Sequence, residues 1–141
     1  MEKIKAFGIC LYKKNKDSIK VLLCKSIISQ HRWGFLKGVA LPDETQEETA
    51  MREFYEESSI KVDKKYLEDF FIQKNEFKNI GIYLVNSKNI DNLEDFFKED
   101  RLKNIYVSSE NSEVKFFKID QLPLIKKKQS FLTEDIITFL K

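Results

Sequence analysis

The residues of this chain with the clearest capacity for chemistry lie in the stretch 38–60, GVALPDETQEETAMREFYEESSI. Three of its carboxylates, Glu53, Glu56 and Glu57, follow directly after Arg52. On a helix, positions i, i+3 and i+4 lie on one side, so these three side chains would form a carboxylate cluster. Like charges this close repel one another unless a cation offsets them, and carboxylate oxygens suit Mg²⁺ or Mn²⁺. The spacing therefore predicts a site for a divalent cation.

The residues around this cluster predict the helix that must carry it. Thr45 and Glu48 form a T-x-x-E capping box, so the helix should begin near residue 46. It should end near Ser58-Ser59, two weak helix formers. Its apolar residues form one stripe that would dock on a sheet. These residues are Ala50, Met51 and Phe54.

The rest of the chain predicts the sheet. Apolar residues at both odd and even positions of 4–12 indicate a strand that is buried on both faces. A polar turn leads to a second strand, 19–25, antiparallel to the first. A hairpin of strands 67–77 and 80–85 would turn around Lys78-Asn79. Further elements are predicted as strands at 105–108 and 114–119, a short helix at 93–97, and a last helix at 134–140 capped by Thr133. A mixed sheet with helices on its two faces is an α/β/α sandwich, of the α/β class.

Length and composition indicate one globular domain, residues 1–141, with 42% apolar and 34% charged side chains. The net charge of +2 favours neither a nucleic-acid nor a membrane partner, and the basic run Lys126–Lys128 is interpreted as a solvated turn. Cys10 and Cys24 lie in apolar segments, as buried reduced thiols do. The sequence shows neither a signal-peptide pattern nor an apolar run of ~20 residues, so we expect a cytoplasmic protein.

The stretch 38–60 closely resembles the signature of the Nudix hydrolases, G-x5-E-x7-R-E-φ-x-E-E-x-G-φ, where φ is apolar. The matching residues are Gly38, Glu44, Arg52, Glu53, Phe54, Glu56, Glu57 and Ile60. The preceding WGFLKG, residues 33–38, is similar to the W-x-F-P-K-G of the branch that includes diadenosine tetraphosphate hydrolases, with Leu36 in place of the proline. The resemblance implies a Nudix-type α/β/α sandwich with a mixed β-sheet between helices.

Two positions depart from the family pattern. Ser59 stands where the signature has its last glycine, and Asp43 stands where a glycine commonly precedes the first glutamate. A glycine at a helix end commonly adopts a positive φ, which a serine adopts at a cost of about 1 kcal/mol. Aspartate accepts this conformation better than most residues do. Neither change removes a chemical group, so we expect the metal ligands to be intact.

The resemblance implies hydrolysis of a diphosphate linkage that depends on Mg²⁺ or Mn²⁺. Glu53, Glu56 and Glu57 would be the metal ligands, with Glu57 the first choice and Glu53 close behind. The main-chain carbonyl of Gly38 would be a further ligand. Glu110 is the favoured later-loop glutamate, as a metal ligand or a catalytic base.

Other residues have two interpretations each. Glu113 is the alternative to Glu110 for the later-loop acid. Arg52 would pair with Glu44 and hold the helix to the loop in support of catalysis. Lys37 would contact a substrate phosphate or remain a surface lysine. Three aromatic side chains would either stack on a nucleobase or pack in the core. They are Trp33, Phe35 and Tyr83.

The leading functional hypothesis is a hydrolase of a small nucleoside diphosphate-linked substrate, with a dinucleoside polyphosphate as the first guess. The alternatives are a pyrophosphohydrolase acting on nucleoside triphosphates or on an RNA 5′ end, and a non-catalytic nucleotide-binding module. Near-neutral charge argues against the RNA alternative. Many members of the family dimerise, so a homodimer is one expectation, although no segment has the pattern of an interface.

Overall fold

The computed structural model describes residues 2–28 and 31–141. The apolar segment that begins the chain forms the centre of a mixed sheet, and a helix packs on each face of that sheet. The strands are β1 (Ile4–Lys14), β2 (Ile19–Ser26), β3 (Leu36–Val39), β4 (Phe70–Lys74), β5 (Lys78–Asn86), β6 (Phe97–Lys98), β7 (Arg101–Leu102) and β8 (Asn111–Lys118). The helices of more than one turn in this part of the chain are α1 (Gln46–Ser58) and α2 (Ser130–Leu140).

The strand order is β4-β5-β1-β2-β8-β7-β6, and β3 pairs with β1 off this path. Strand β1 runs parallel to β5 on one edge. Its other edge is shared, because β3 pairs antiparallel with Ala6–Ile9 and β2 pairs antiparallel with Tyr12–Lys14. This sharing places β3, which carries Lys37 and Gly38, against the middle of the sheet. The predicted antiparallel pairing of the first two strands is confirmed.

Each face of the sheet has its own core. On one face, Ala50 and Phe54 of α1 pack in a buried cluster with Ile9 and Leu36. On the other face, Leu132 of α2 packs in a second cluster with residues of β1, β2 and β5. Fully burying a Leu, Ile or Phe side chain contributes about 1.5–3 kcal/mol, so both layers are stabilised mainly by apolar burial. The predicted α/β/α sandwich is confirmed.

Three predictions about secondary structure are wrong: the position of a turn, a strand, and the start of the last helix. The hairpin of β4 and β5 turns at residues 75–77, because Lys78 and Asn79 already pair with β1 and β4. The segment 105–108 is not a strand: Asn104–Tyr106 is one turn of 3₁₀-helix, and Ile105 is 81% exposed. Helix α2 begins at Ser130, four residues before the predicted start.

Thr133 does not cap this helix. Its hydroxyl donates to the carbonyl of Gln129, 2.7 Å away, as a threonine inside a helix can do with residue i−4. The predicted short helix in 93–97 is present as a 3₁₀-helix, Leu93–Phe96. The hairpin of β6 and β7, which extends the sheet beyond β8, and the strand β3 were not predicted.

Cys10 and Cys24 are buried free thiols, as predicted. Burial raises the pKa of Cys10, and it raises the pKa of Cys24 to about 12, so both stay protonated at neutral pH. In the described part of the chain, no helix is long and apolar enough to cross a membrane.

Candidate active site

The ends of α1 have the geometry that the sequence predicts. The Glu48 N–H donates to Thr45 Oγ1 over 3.1 Å, and the Thr45 N–H donates to Glu48 Oε1 over 2.8 Å, which completes the capping box. The helix ends at Ser59, whose φ of 65° is in the left-handed region. Asp43 has a φ of 67° in the loop before the helix. Both departures from the family pattern therefore occupy positions where glycine would be unstrained.

Glu44 and Arg52 join the loop to the helix. Arg52 Nε donates to Glu44 Oε2 over 2.7 Å, and Arg52 Nη2 donates to Glu44 Oε1 over 3.0 Å, a bidentate pair. Glu44 Oε1 also accepts from the Thr49 hydroxyl and from the Leu41 N–H. These donors, with Arg52 the largest cause, lower the pKa of Glu44 to about 2. Arg52 Nη2 also donates to the Val39 carbonyl over 3.1 Å, so one guanidinium holds the whole loop in place.

The same guanidinium contacts two glutamates of the cluster. Arg52 Nη1 donates to Glu53 Oε2 over 2.7 Å and to Glu56 Oε1 over 3.1 Å. Burial raises the pKa of Glu53, while Arg52 opposes this effect. A Cβ atom on Gly38 would collide with the Glu53 carboxylate. Glycine at this position leaves room for that carboxylate beside β3, whereas any larger residue would require the carboxylate to move.

Glu57 lies deeper than its neighbours, with only 6% of its surface exposed. Its Oε1 accepts from Asn111 Nδ2 over 2.9 Å, and the Cys24 thiol lies 3.9 Å from the same oxygen. Its other carboxylate oxygen, Oε2, is buried and has no hydrogen-bond partner. Burial raises the pKa of Glu57 to about 7, and Glu53 and Glu110 add to this rise while Asn111 opposes it. The structure thus buries a carboxyl group with one unpartnered oxygen, and the charge of Lys37 offsets only part of the effect of burial on its pKa.

The three predicted ligands differ in how deeply they are buried. Glu57 is buried, Glu53 is mostly buried, and the Glu56 side chain is 54% exposed. Among residues 2–28 and 31–141, no group of three or more His, Cys, Asp or Glu side chains is close enough to hold a metal ion as it stands. Two observations nevertheless fit a cation at this place. The buried Glu57 Oε2 needs a partner, and Glu53 lies in the space that Gly38 leaves open.

The two later-loop acids have different surroundings. Glu113 forms ion pairs with Arg101 and with Lys25, so its charge is offset away from α1. Glu110 is exposed in the turn before β8, and its charge raises the pKa of both Glu53 and Glu57. Of the two acids, Glu110 is therefore the one whose charge acts on Glu53 and Glu57, and its catalytic role stays a prediction.

Lys37 is half-buried in β3, next to Gly38. Burial lowers the pKa of Lys37 to about 8; neighbouring Lys78 and Lys126 lower it further, and Glu57 raises it. Lys37 is therefore more buried than the alternative interpretation as a surface lysine implies, and its contact with a substrate phosphate stays a prediction. The structure places its ammonium where it acts on both the Glu57 carboxylate and a group of other lysines.

The aromatic residues are divided between core and surface. Trp33 and Phe35 are buried, with 8% and 2% exposure, in the cluster beneath α2. Trp33 packs edge-on against Phe117 with 4.7 Å between ring centroids. Since neither ring has an open face, we correct the base-stacking prediction and assign both to the core. Tyr83 is half-buried beside the start of α1, where its hydroxyl donates to Gln46 Oε1 over 3.2 Å.

Sequence reasoning missed three partners of the site. Asn111, which binds Glu57, directly follows Glu110, but an amide in a loop carries no motif. Thr49, which binds Glu44, lies one turn from Thr45 inside the capping region. Lys78 was interpreted as part of a turn, and only the sheet register shows that it begins β5.

The profile of the NUDIX domain family matches residues 2–135, nearly the whole chain. No curated protein sequence matches significantly. The fold is similar to the C. elegans Ap4A hydrolase in a binary complex, with 20% identity, coverage of 97% of both chains and a TM-score of 0.64. It is also similar to a NUDIX hydrolase from Nitrosomonas europaea, with 18% identity, coverage of 99% and 71%, and a TM-score of 0.68.

A third similar structure is the NUDIX domain of Shewanella oneidensis NrtR complexed with ADP ribose, with 19% identity, coverage of 100% and 90%, and a TM-score of 0.66. At these identities the similarity to solved structures shows only the fold. The family profile shows more, because it covers the signature stretch 38–60 together with the sheet that supports it. The chain belongs to the Nudix hydrolases, enzymes that act on phosphoric anhydrides and generally use divalent metal ions.

Proposed function

We propose that this protein hydrolyses the diphosphate linkage of a small nucleoside diphosphate-linked substrate with the help of Mg²⁺, or Mn²⁺ in its place. The observation that carries the proposal is the buried carboxylate of Glu57, whose Oε2 has no partner. A buried carboxyl oxygen without a partner lowers the free energy of unfolding. A cation supplies the missing partner and turns a destabilising group into a functional one.

Each residue of the site has a part in this chemistry. Glu57, Glu53 and the Gly38 carbonyl would hold the cation, and the exposed Glu56 would complete the set. When bound, a divalent cation neutralises phosphate oxygens and lowers the pKa of a coordinated water. Glu110 takes the proton of the attacking water or adds one more oxygen to the metal site.

Glu44 and Arg52 keep these groups in position. Their bidentate pair joins the loop to α1, and Arg52 also binds the Val39 carbonyl directly after Gly38. Because Arg52 donates to Glu53 and Glu56 as well, it holds both carboxylates near the loop before the cation arrives. Preorganised ligands reduce the reorganisation needed when metal and substrate bind.

The first substrate we propose is a dinucleoside polyphosphate. The support is the WGFLKG segment and the similarity to the C. elegans Ap4A hydrolase. ADP-ribose is the competing substrate, because similar structures include the ADP ribose complex from Shewanella oneidensis and an ADP-ribose pyrophosphatase from Streptococcus suis. Nucleoside triphosphates and triphosphorylated RNA 5′ ends complete the set to be compared.

The test is a substrate panel with Mg²⁺ that contains Ap4A, ATP, ADP-ribose, UDP-glucose and an RNA with a 5′-triphosphate. Products are identified by mass in ¹⁸O-labelled water, which shows the phosphorus that water attacks. We expect Glu57→Gln to lower kcat by at least 100-fold, the order of loss for removing one preorganised group of an active site. The matched control is Glu134→Gln, an exposed glutamate of α2. Turnover that survives Glu57→Gln undiminished would show that this site is not the catalytic one.

A further inference from the structure

A second feature of the site is a cleft of about 380 Å³ whose charged lining is basic only. Lys37 comes from β3 and Lys78 is the first residue of β5. The run Lys126–Lys128 precedes α2 and contributes three more basic residues to the lining. The lining is completed by Arg32, Ile80 and Gln129. Segments far apart in sequence therefore bring their basic residues to one place.

The lysines of this cleft form no ion pair with a carboxylate in the described part of the chain. Among the described residues, no carboxylate lies within 4.0 Å of the ammonium group of Lys37, Lys78 or any lysine of 126–128. Burial lowers the pKa of Lys78, and Lys128 and Lys126 lower it further. Like charges held this close are unfavourable unless a ligand of opposite sign joins them.

Lys37 connects the cleft with the proposed active site. This residue lines the cleft, directly precedes Gly38 in β3, and interacts electrostatically with Glu57. An anion bound at Lys37 would therefore lie beside the residues proposed to act on the cleaved linkage. The basic run 126–128, interpreted from the sequence as a solvated turn, lies beside substrate in this arrangement.

We propose that the cleft holds phosphate groups beyond the cleaved linkage, so that the enzyme prefers substrates with three or more consecutive phosphates to those with two. This inference rests on the proposed function and deepens it. A dinucleoside polyphosphate or a nucleoside triphosphate brings further negative groups to the lysines. A nucleoside diphosphate linked to a sugar brings only the two phosphates of the linkage itself, so it leaves the cleft without an anionic partner.

The test compares Lys78→Gln and Lys126→Gln with the control Lys16→Gln, an exposed lysine of the turn between β1 and β2. For Ap4A and ATP, we expect each cleft variant to lower kcat/KM about tenfold, the effect of one charged contact of ~1.4 kcal/mol. For ADP-ribose and UDP-glucose we expect less than a twofold change. Circular dichroism establishes that each variant is folded. Equal losses on both groups of substrates, or no loss on either, would overturn the inference.

A binding measurement separates this inference from the proposed function. Titration calorimetry without metal measures the binding of inorganic tripolyphosphate to the wild type and to the same variants. We expect binding that weakens about tenfold in Lys78→Gln and Lys126→Gln and stays unchanged in Lys16→Gln. Absence of hydrolysis in the panel would refute the proposed function, whereas tripolyphosphate that does not bind, or binds all variants equally, would refute the cleft.

Discussion

The most direct prediction concerns the pH dependence of stability that Glu57 imposes on the metal-free protein. Burial raises the pKa of Glu57 from 4.5 to about 7. Between these two pH values the folded protein binds more protons than the unfolded chain does. The free energy of unfolding must therefore fall as pH rises through this window and level off above it. Glu57→Gln removes the titrating group and should flatten this part of the curve.

The size of the effect follows from the shift in the pKa of Glu57, which is about 2.5 units above the ordinary value of 4.5. Each unit corresponds to 1.36 kcal/mol, so ionised Glu57 lowers the free energy of unfolding by about 3 kcal/mol at pH 8.5. For a domain of this size that is roughly 10 °C in Tm. Glu53, whose pKa is also raised, adds to the slope and remains in the variant.

The assay is guanidinium unfolding in EDTA at pH 4.5, 6, 7 and 8.5, on wild type, Glu57→Gln and the control Glu134→Gln. We expect the wild type and the control to lose stability together between pH 4.5 and 8.5, and the Glu57 variant to lose about 3 kcal/mol less. The comparison uses slopes, because the new amide alters the hydrogen bond with Asn111 at every pH.

Metal adds a second readout of the same carboxylate. A divalent cation that binds Glu57 should stabilise the wild type most at high pH, where its carboxylate is already ionised. The stabilisation should be absent or much smaller in Glu57→Gln. Parallel pH curves for wild type and variant in EDTA would refute the assignment of a raised pKa to this residue.

Other predictions concern the loop, the helix ends and the later-loop acids. Arg52→Gln should lower the free energy of unfolding by about 1–2 kcal/mol in EDTA, because the substitution leaves the carboxylates of Glu44 and Glu53 without their ion pair. Mg²⁺ should restore part of this loss, and a loss that Mg²⁺ does not reduce would contradict the prediction. Thr45→Ala should lower it by about 1 kcal/mol in urea unfolding through loss of the cap, and an unchanged midpoint would argue against the capping box. Ser59→Gly should raise Tm, with a gain of about 1 kcal/mol, since φ is 65° there, whereas Ser59→Ala should not. Glu110→Gln should lower kcat more than Glu113→Gln does in the substrate panel; the reverse order would assign the role to Glu113.

Local signals made part of the fold predictable. The capping box and apolar stripe of α1 act within a few residues of one another, so the helix appears at its predicted position. The strand β1 was predictable because its residues are apolar at both parities. The turn at 78–79 and the strand at 105–108 were wrong because short polar or apolar runs have no intrinsic preference strong enough to decide pairing. Pairing with β1 makes Lys78 part of a strand, and nothing in its neighbours along the chain reveals that partner.

The signature stretch 38–60 was sufficient to predict the family and the type of chemistry, because the spacing of Glu44, Arg52, Glu53 and Glu57 on a loop and a helix is a local property of the chain. Tertiary structure decided how those groups differ. Burial against β8 gives Glu57 its raised pKa and its unpartnered oxygen, while Glu56 stays exposed on the same helix. It also gathers Lys37, Lys78 and 126–128 into one cleft, since charges separated by up to 91 positions meet only when strands and loops pack together.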